Sequence, residues 1–122
     1  HFKKNKIFKK QILKIKKLWR IKIKTFQKKI NSIKENFIIY GAGFYGRLIF
    51  SLIPQKKLKE FAGFIDKNPF LKGGIIGNKK IYNLEKIKDF KNIFVGLNPK
   101  NSKKIMKLML KSKYENFKIN YI

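Results

Sequence analysis

Apolar residues recur at Phe8, Ile12, Ile15, Trp19, Ile23, Phe26, Ile30 and Ile33, in steps of three or four, with no proline or glycine between residues 2 and 35. The spacing predicts one amphipathic helix of about seven turns. Ile7 and Ile21 widen the apolar stripe. The other face is almost pure lysine, whose like charges repel along the helix, so the element needs a surface on which to bury its stripe.

The pattern then changes period. Phe37-Ile38-Ile39-Tyr40 is wholly apolar and rich in β-branched and aromatic residues, which suits a strand covered on both faces. Arg47 to Ile53 reads as helix, with Leu48, Ile49, Leu52 and Ile53 facing the sheet, until Pro54 stops it. Phe61 to Asp66 is a second apolar run ending in the turn Asp66-Lys67-Asn68-Pro69. A glycine-containing loop follows, with a short edge strand at residues 74–76 and another at Ile81-Tyr82. Asn83 caps a short helix carrying Leu84, Ile87 and Phe90 inward. Asn92 to Leu97 is the next strand, closing in Asn98-Pro99; Asn101 or Ser102 then caps a helix whose Met106 and Met109 fill core space. Phe117 to Ile122 alternates as an edge strand does. Strands alternating with helices predict an α/β fold: a small parallel sheet of four to five strands with helices on both faces and right-handed crossovers, preceded by the long basic helix. The division is 1–35 for the helix and 36–122 for the domain.

Between the first strand and its helix stands Gly41-Ala42-Gly43-Phe44-Tyr45-Gly46-Arg47, a Gly-x-Gly-x-x-Gly turn. Strand, glycine turn and helix in that order form a dinucleotide fingerprint. Gly41 permits the tight turn, Gly43 lets backbone approach a pyrophosphate, and Gly46 lets helix and strand pack closely. Free N–H groups at the start of the helix point at the phosphates. Twenty positions beyond Gly46, Asp66 ends the second strand, where an acid hydrogen-bonds a ribose. Lys67 beside it would tolerate a 2′-phosphate, so NAD and NADP both stay open. Arg47 reaches a phosphate or is merely solvated. Asn98 ends the third main strand, at the same carboxyl edge where ligands of such sheets sit. The competing view is a domain that keeps the turn for packing and binds nothing.

The chain holds 32 basic and 6 acidic residues, a net charge of +26. Codon bias explains abundant lysine but not the shortage of acids, so the surplus predicts attraction to nucleotides, nucleic acid or anionic lipid. There is no cysteine, and the one histidine, His1, reads as a tag remnant; disulfides and transition-metal sites are not expected. Lysine interrupts every apolar stretch before the roughly 20 residues that a spanning helix needs. The helix of residues 2–35 has four candidate surfaces: its own domain or a second copy in a homodimer, an anionic membrane, a second domain of a longer protein, and nucleic acid. Nucleic acid is the weakest, since arginine, the residue that reads bases, occurs twice.

Ile38 to Arg47, Gly63 to Pro69, Lys72-Gly73, Ile76-Gly77 and Ile81-Tyr82 resemble the Rossmann-like nucleotide-binding domain of bacterial polysaccharide-biosynthesis proteins. That domain occurs in membrane-bound nucleoside-diphosphate-sugar dehydratases and epimerases, and a similar one opens the sugar acyltransferases. The resemblance covers residues 36–122. It implies NAD(P) or nucleotide-sugar as ligand and a role in surface-glycan synthesis, in the cytoplasm or at the inner face of the membrane, within a larger polypeptide. The alternative class is a non-catalytic basic adaptor, docking through its first helix.

No catalytic set stands out. Tyr82 and Lys86 have a reductase-like Tyr-x-x-x-Lys spacing, but lysine is so common that a chance match is expected, and no serine partner lies upstream. Glu85 and Asp89 sit one turn apart among lysines, where surface ion pairing is the ordinary outcome.

Overall fold

The computed structural model describes residues 2–121; His1, Ile122 and the side chains of residues 2–5 and of Phe8, a member of the predicted stripe, lie outside the described residues. The elements are α1 (Phe2–Ser32), β1 (Phe37–Tyr40), α2 (Phe44–Leu52), β2 (Phe61–Ile65), β3 (Ile75–Ile76), β4 (Lys79–Tyr82), β5 (Asn92–Val95), α3 (Ser102–Leu110) and β6 (Lys118–Tyr121), with single 3₁₀ segments between several of them. They build one sheet in the order β3-β4-β2-β1-β5-β6. Every neighbouring pair is parallel except β3 and β4.

The sheet has six strands, above the expected four to five. The extra pairing is the β3–β4 hairpin, turned by Gly77 and Asn78, whose φ angles of 54° and 67° are both left-handed. Two such residues in succession are what a tight antiparallel hairpin requires. The segment Leu84–Asp89 is 3₁₀ rather than α-helical, and Asn83 precedes it without a capping side-chain bond. Asn101 stands before α3, also without one.

The central strands are buried on both faces. Phe37 and Ile39 join Ile49, Ile53, Phe61, Phe64 and Phe94 under the helices on one side. Ile38 and Tyr40 join Ile65, Ile87, Ile93, Val95, Met106 and Leu110 on the other. Met106 is fully buried, as a core filler should be. Among the described residues no helix is long and apolar enough to cross a membrane.

α1 is continuous, as its periodicity predicts, but only its last three turns belong to the core. Phe26 is 4% exposed and Ile30 fully buried. Phe26 meets Phe94 edge-on at 5.1 Å between ring centres. Gln27 Nε2 donates to the carbonyl of Leu52 at 3.2 Å, and Lys57 Nζ to that of Ile33 at 2.7 Å. The body of the structure therefore starts inside residues 1–35, around Ile23. The end of α1 lies beside Asn92 and Lys118, the first residues of β5 and β6. Ile21 and Lys22 lie beside Tyr121, the last residue of β6. The helix thus descends the sheet from its carboxyl edge to its amino edge. Residues upstream of Ile21 continue past the carboxyl edge for about 28 Å at 1.5 Å per residue.

Candidate functional site

The carboxyl end of β1 turns into α2 through three glycines in mutual contact. Gly41 has φ +103°, and a Cβ there would lie 2.5 Å from the Gly96 carbonyl oxygen. A Cβ on Gly46 would lie 1.9 Å from the Gly41 oxygen, and one on Gly96 would lie 2.4 Å from Gly46 Cα. Backbone fills all the space that side chains would need, so these positions lock the turn. The Gly41 N–H donates to Ile65 O and the Gly96 N–H to Tyr40 O, both at 2.7 Å.

Gly43 differs. No atom stands within 4 Å of where its Cβ would be, and it is exposed. It is the N-cap residue of α2, and no side chain caps that end. The Arg47 N–H donates to the Gly43 carbonyl at 3.0 Å, so the N–H groups of Phe44, Tyr45 and Gly46 precede the helical ladder. Together with the helix dipole they favour an anion over Gly43. The Arg47 side chain folds back over the turn, its Nε 3.4 Å from the Ala42 carbonyl. Phe44 is 74% exposed, its ring edge-on to Tyr45 at 5.3 Å.

Asp66 reaches this turn from the end of β2. Its Oδ2 accepts the Ala42 N–H at 2.9 Å and its Oδ1 accepts the Asn68 N–H at 2.9 Å. The Asn68 side chain in turn accepts the Phe70 N–H at 3.1 Å. Ala42 was expected among the groups around a pyrophosphate; its N–H is instead taken by Asp66, and its side chain is buried. Burial raises the Tyr40 pKa, and the Asp66 charge adds to it. Lys67 is exposed and stands beside Tyr40, Leu84, Leu108 and Met109, on the α3 side of the sheet. Asn98 is exposed in the β5–α3 loop, its Oδ1 accepting the Lys100 N–H at 3.0 Å. The structure thus brings Gly41 to Arg47 and Asp66 together, with Lys67 and Asn98 along the same edge.

Two participants escaped the sequence reading. Gly96 closes the turn from β5, and its signal was available: it ends the third apolar run as Gly41 ends the first, and Tyr40 pairs with Val95 in the ladder. Tyr40 reads from sequence only as a strand residue. Tyr82 and Lys86 are in contact through the ring face, with Nζ 5.5 Å from the ring centre, and Lys86 pairs with Asp89 at 3.2 Å. That is a surface cluster outside the glycine turn.

Residues 36–108 match the model of the PglD N-terminal domain. No curated protein sequence matches the chain. Among solved structures, UDP-D-quinovosamine 4-dehydrogenase from Vibrio fischeri is similar at 16% identity and a TM-score of 0.50, over 74% of this chain and 79% of that one. A Rex-family repressor, RSP, is similar at 17% identity and a TM-score of 0.50, over 72% of this chain and 52% of its own. RSP in complex with β-NADH gives 19%, 0.50, 72% and 53% for the same measures. These likenesses concern the Rossmann-like fold.

Proposed function

The chain belongs to the PglD N-terminal domain family, and from that premise we propose that it binds a diphosphate-bearing nucleotide, a nucleotide-sugar or NAD(P), at the β1–α2 turn. The phosphates lie over Gly43 and the N–H groups of Phe44, Tyr45 and Gly46, with the Arg47 guanidinium beside them. Each Asp66 oxygen keeps an acceptor position after its backbone bond, and the carboxylate takes a ribose hydroxyl there. Lys67 and Asn98 border the ligand further along the edge. The bound nucleotide serves a carbohydrate-modifying step of bacterial surface-glycan synthesis in the cytoplasm, the domain working as part of a larger protein. The observation that carries this reading is the contrast at the turn: Gly41, Gly46 and Gly96 are filled by backbone, whereas Gly43 faces open space at an uncapped helix end.

Thermal shift with UDP-sugars, NAD, NADP and CoA tests it. A ligand at a hundred times its dissociation constant stabilises by about 2.7 kcal/mol. Gly43→Val, at a φ of −88°, gives up a good N-cap residue and should cost the free protein no more than about 1 kcal/mol while abolishing the shift. Failure of every nucleotide to shift Tm, or a full shift in the variant, overturns the proposal.

A further inference from the structure

We propose that the free half of α1, from Ile7 to Ile21, is a docking surface for an acidic amphipathic protein segment, seated in the corner between this helix and the carboxyl edge of the sheet. Ile12, Ile15 and Trp19 are exposed there. By helical spacing Ile12, Ile15 and Trp19 lie on the same side as Ile23, Phe26 and Ile30, and the latter two pack on the sheet. Trp19 lines an apolar groove with Ile23, Phe26, Leu48 and Leu52. The row Ile12, Ile15 and Trp19 therefore looks over the carboxyl edge, whereas Ile7, Leu13, Leu18 and Ile21, also exposed, stand by spacing on other faces of the helix.

That direction selects the occupant. A flat bilayer pressed against Ile12, Ile15 and Trp19 would have to pass through the volume of the sheet body. Nucleic acid would neutralise the lysines but leave the isoleucines in water. A second copy would bury the stripe, yet residues 2–22 contain nine lysines, Arg20 and no acid, so two such helices would bring together cations with nothing to pair them. A peptide helix with an apolar stripe and acidic flanks satisfies both demands, since Lys9, Lys16 and Lys22 flank the stripe by spacing. The surface also adjoins α2. Gln27 is bonded at Leu52, and Trp19 shares its groove with Leu48 and Leu52 of α2, the helix that leaves the glycine turn.

Trp19 is the only tryptophan, so its fluorescence reports on the full chain directly. The probe is a synthetic helix roughly four heptads long with leucine at a and d and glutamate at e and g. It should shift Trp19 emission to the blue, and the complex should weaken at least tenfold from low to high salt. The double variant Ile12→Ser with Ile15→Ser should weaken it about tenfold while Tm stays unchanged, since both side chains are exposed. A scrambled peptide of the same composition should give no shift. Equal binding of the scrambled peptide, a dimer in ultracentrifugation with Trp19 already buried, or a blue shift with phosphatidylserine vesicles in place of the peptide would each overturn the proposal. Nucleotide thermal shift is a separate readout and does not enter this outcome.

Discussion

The sheet body and the upper half of α1 are made from the same apolar residue types and treat them in opposite ways. In the body, Phe37, Ile39, Phe61, Phe64 and Phe94 are fully buried, held between helices and neighbouring strands. In the upper helix Ile15 is 54% and Trp19 46% exposed. Side-chain type alone does not decide burial; a second layer must be present, and in this chain it begins only where α1 reaches Tyr121 and Leu48. A helix this rich in one sign of charge gains little from propensity and most from whatever packs on it.

The comparison can be attacked from its strongest side first. Gly46→Val drives a side chain into the Gly41 carbonyl; loss of a cooperative melting transition is expected, and a native-like melt would show that the three-glycine contact is not rigid. Phe26→Ala removes the ring packed on Phe94 and should cost about 3–5 kcal/mol in urea unfolding. Asp66→Ala strands the part-buried Ala42 N–H, at about 1–3 kcal/mol, and leaves the exposed Asn68 N–H to water; hydrogen exchange at Ala42 should accelerate, and unchanged exchange would deny the bridge. Ile15→Ser, in the free half, should stay within about 0.5 kcal/mol. A larger loss would mean that the upper helix is covered after all. The smallest effect concerns pH. Tyr40 is held neutral by burial and by Asp66, so its contribution is complete below its unfolded pKa near 10 and declines as pH rises toward its folded value. Tyr40→Phe should soften the alkaline fall in Tm, and an identical fall would remove Tyr40 from the account.

Much of this was legible in the chain. The wholly apolar Phe37–Tyr40 run announced a strand covered on both faces, and the glycine turn with Asp66 announced the corner that the structure assembles. Helical spacing found the whole of α1. What spacing could not reveal was where the sheet ends beneath it, because period encodes a face and not the length of its partner. Both strands of the β3–β4 hairpin were legible, at residues 74–76 and Ile81-Tyr82, but not their antiparallel pairing, because Asn78 at positive φ has no pattern of its own. The double use of the Asp66 oxygens was equally hidden. An acid at a strand end looks the same whether it awaits a ribose or already holds a backbone N–H, and only coordinates tell these apart.

The packing of Phe26 and Ile30 sets where the chain can be divided. The family match starts at residue 36, yet a fragment begun there would present Phe37 and Phe94 bare to water and would be prone to aggregate. A protease should find the opposite boundary: cleavage sites after the exposed Lys9, Lys10, Lys14, Lys16 and Lys17 are open, those near Ile30 are shielded, and a trimmed product starting in the low twenties is the smallest piece that keeps its core roofed.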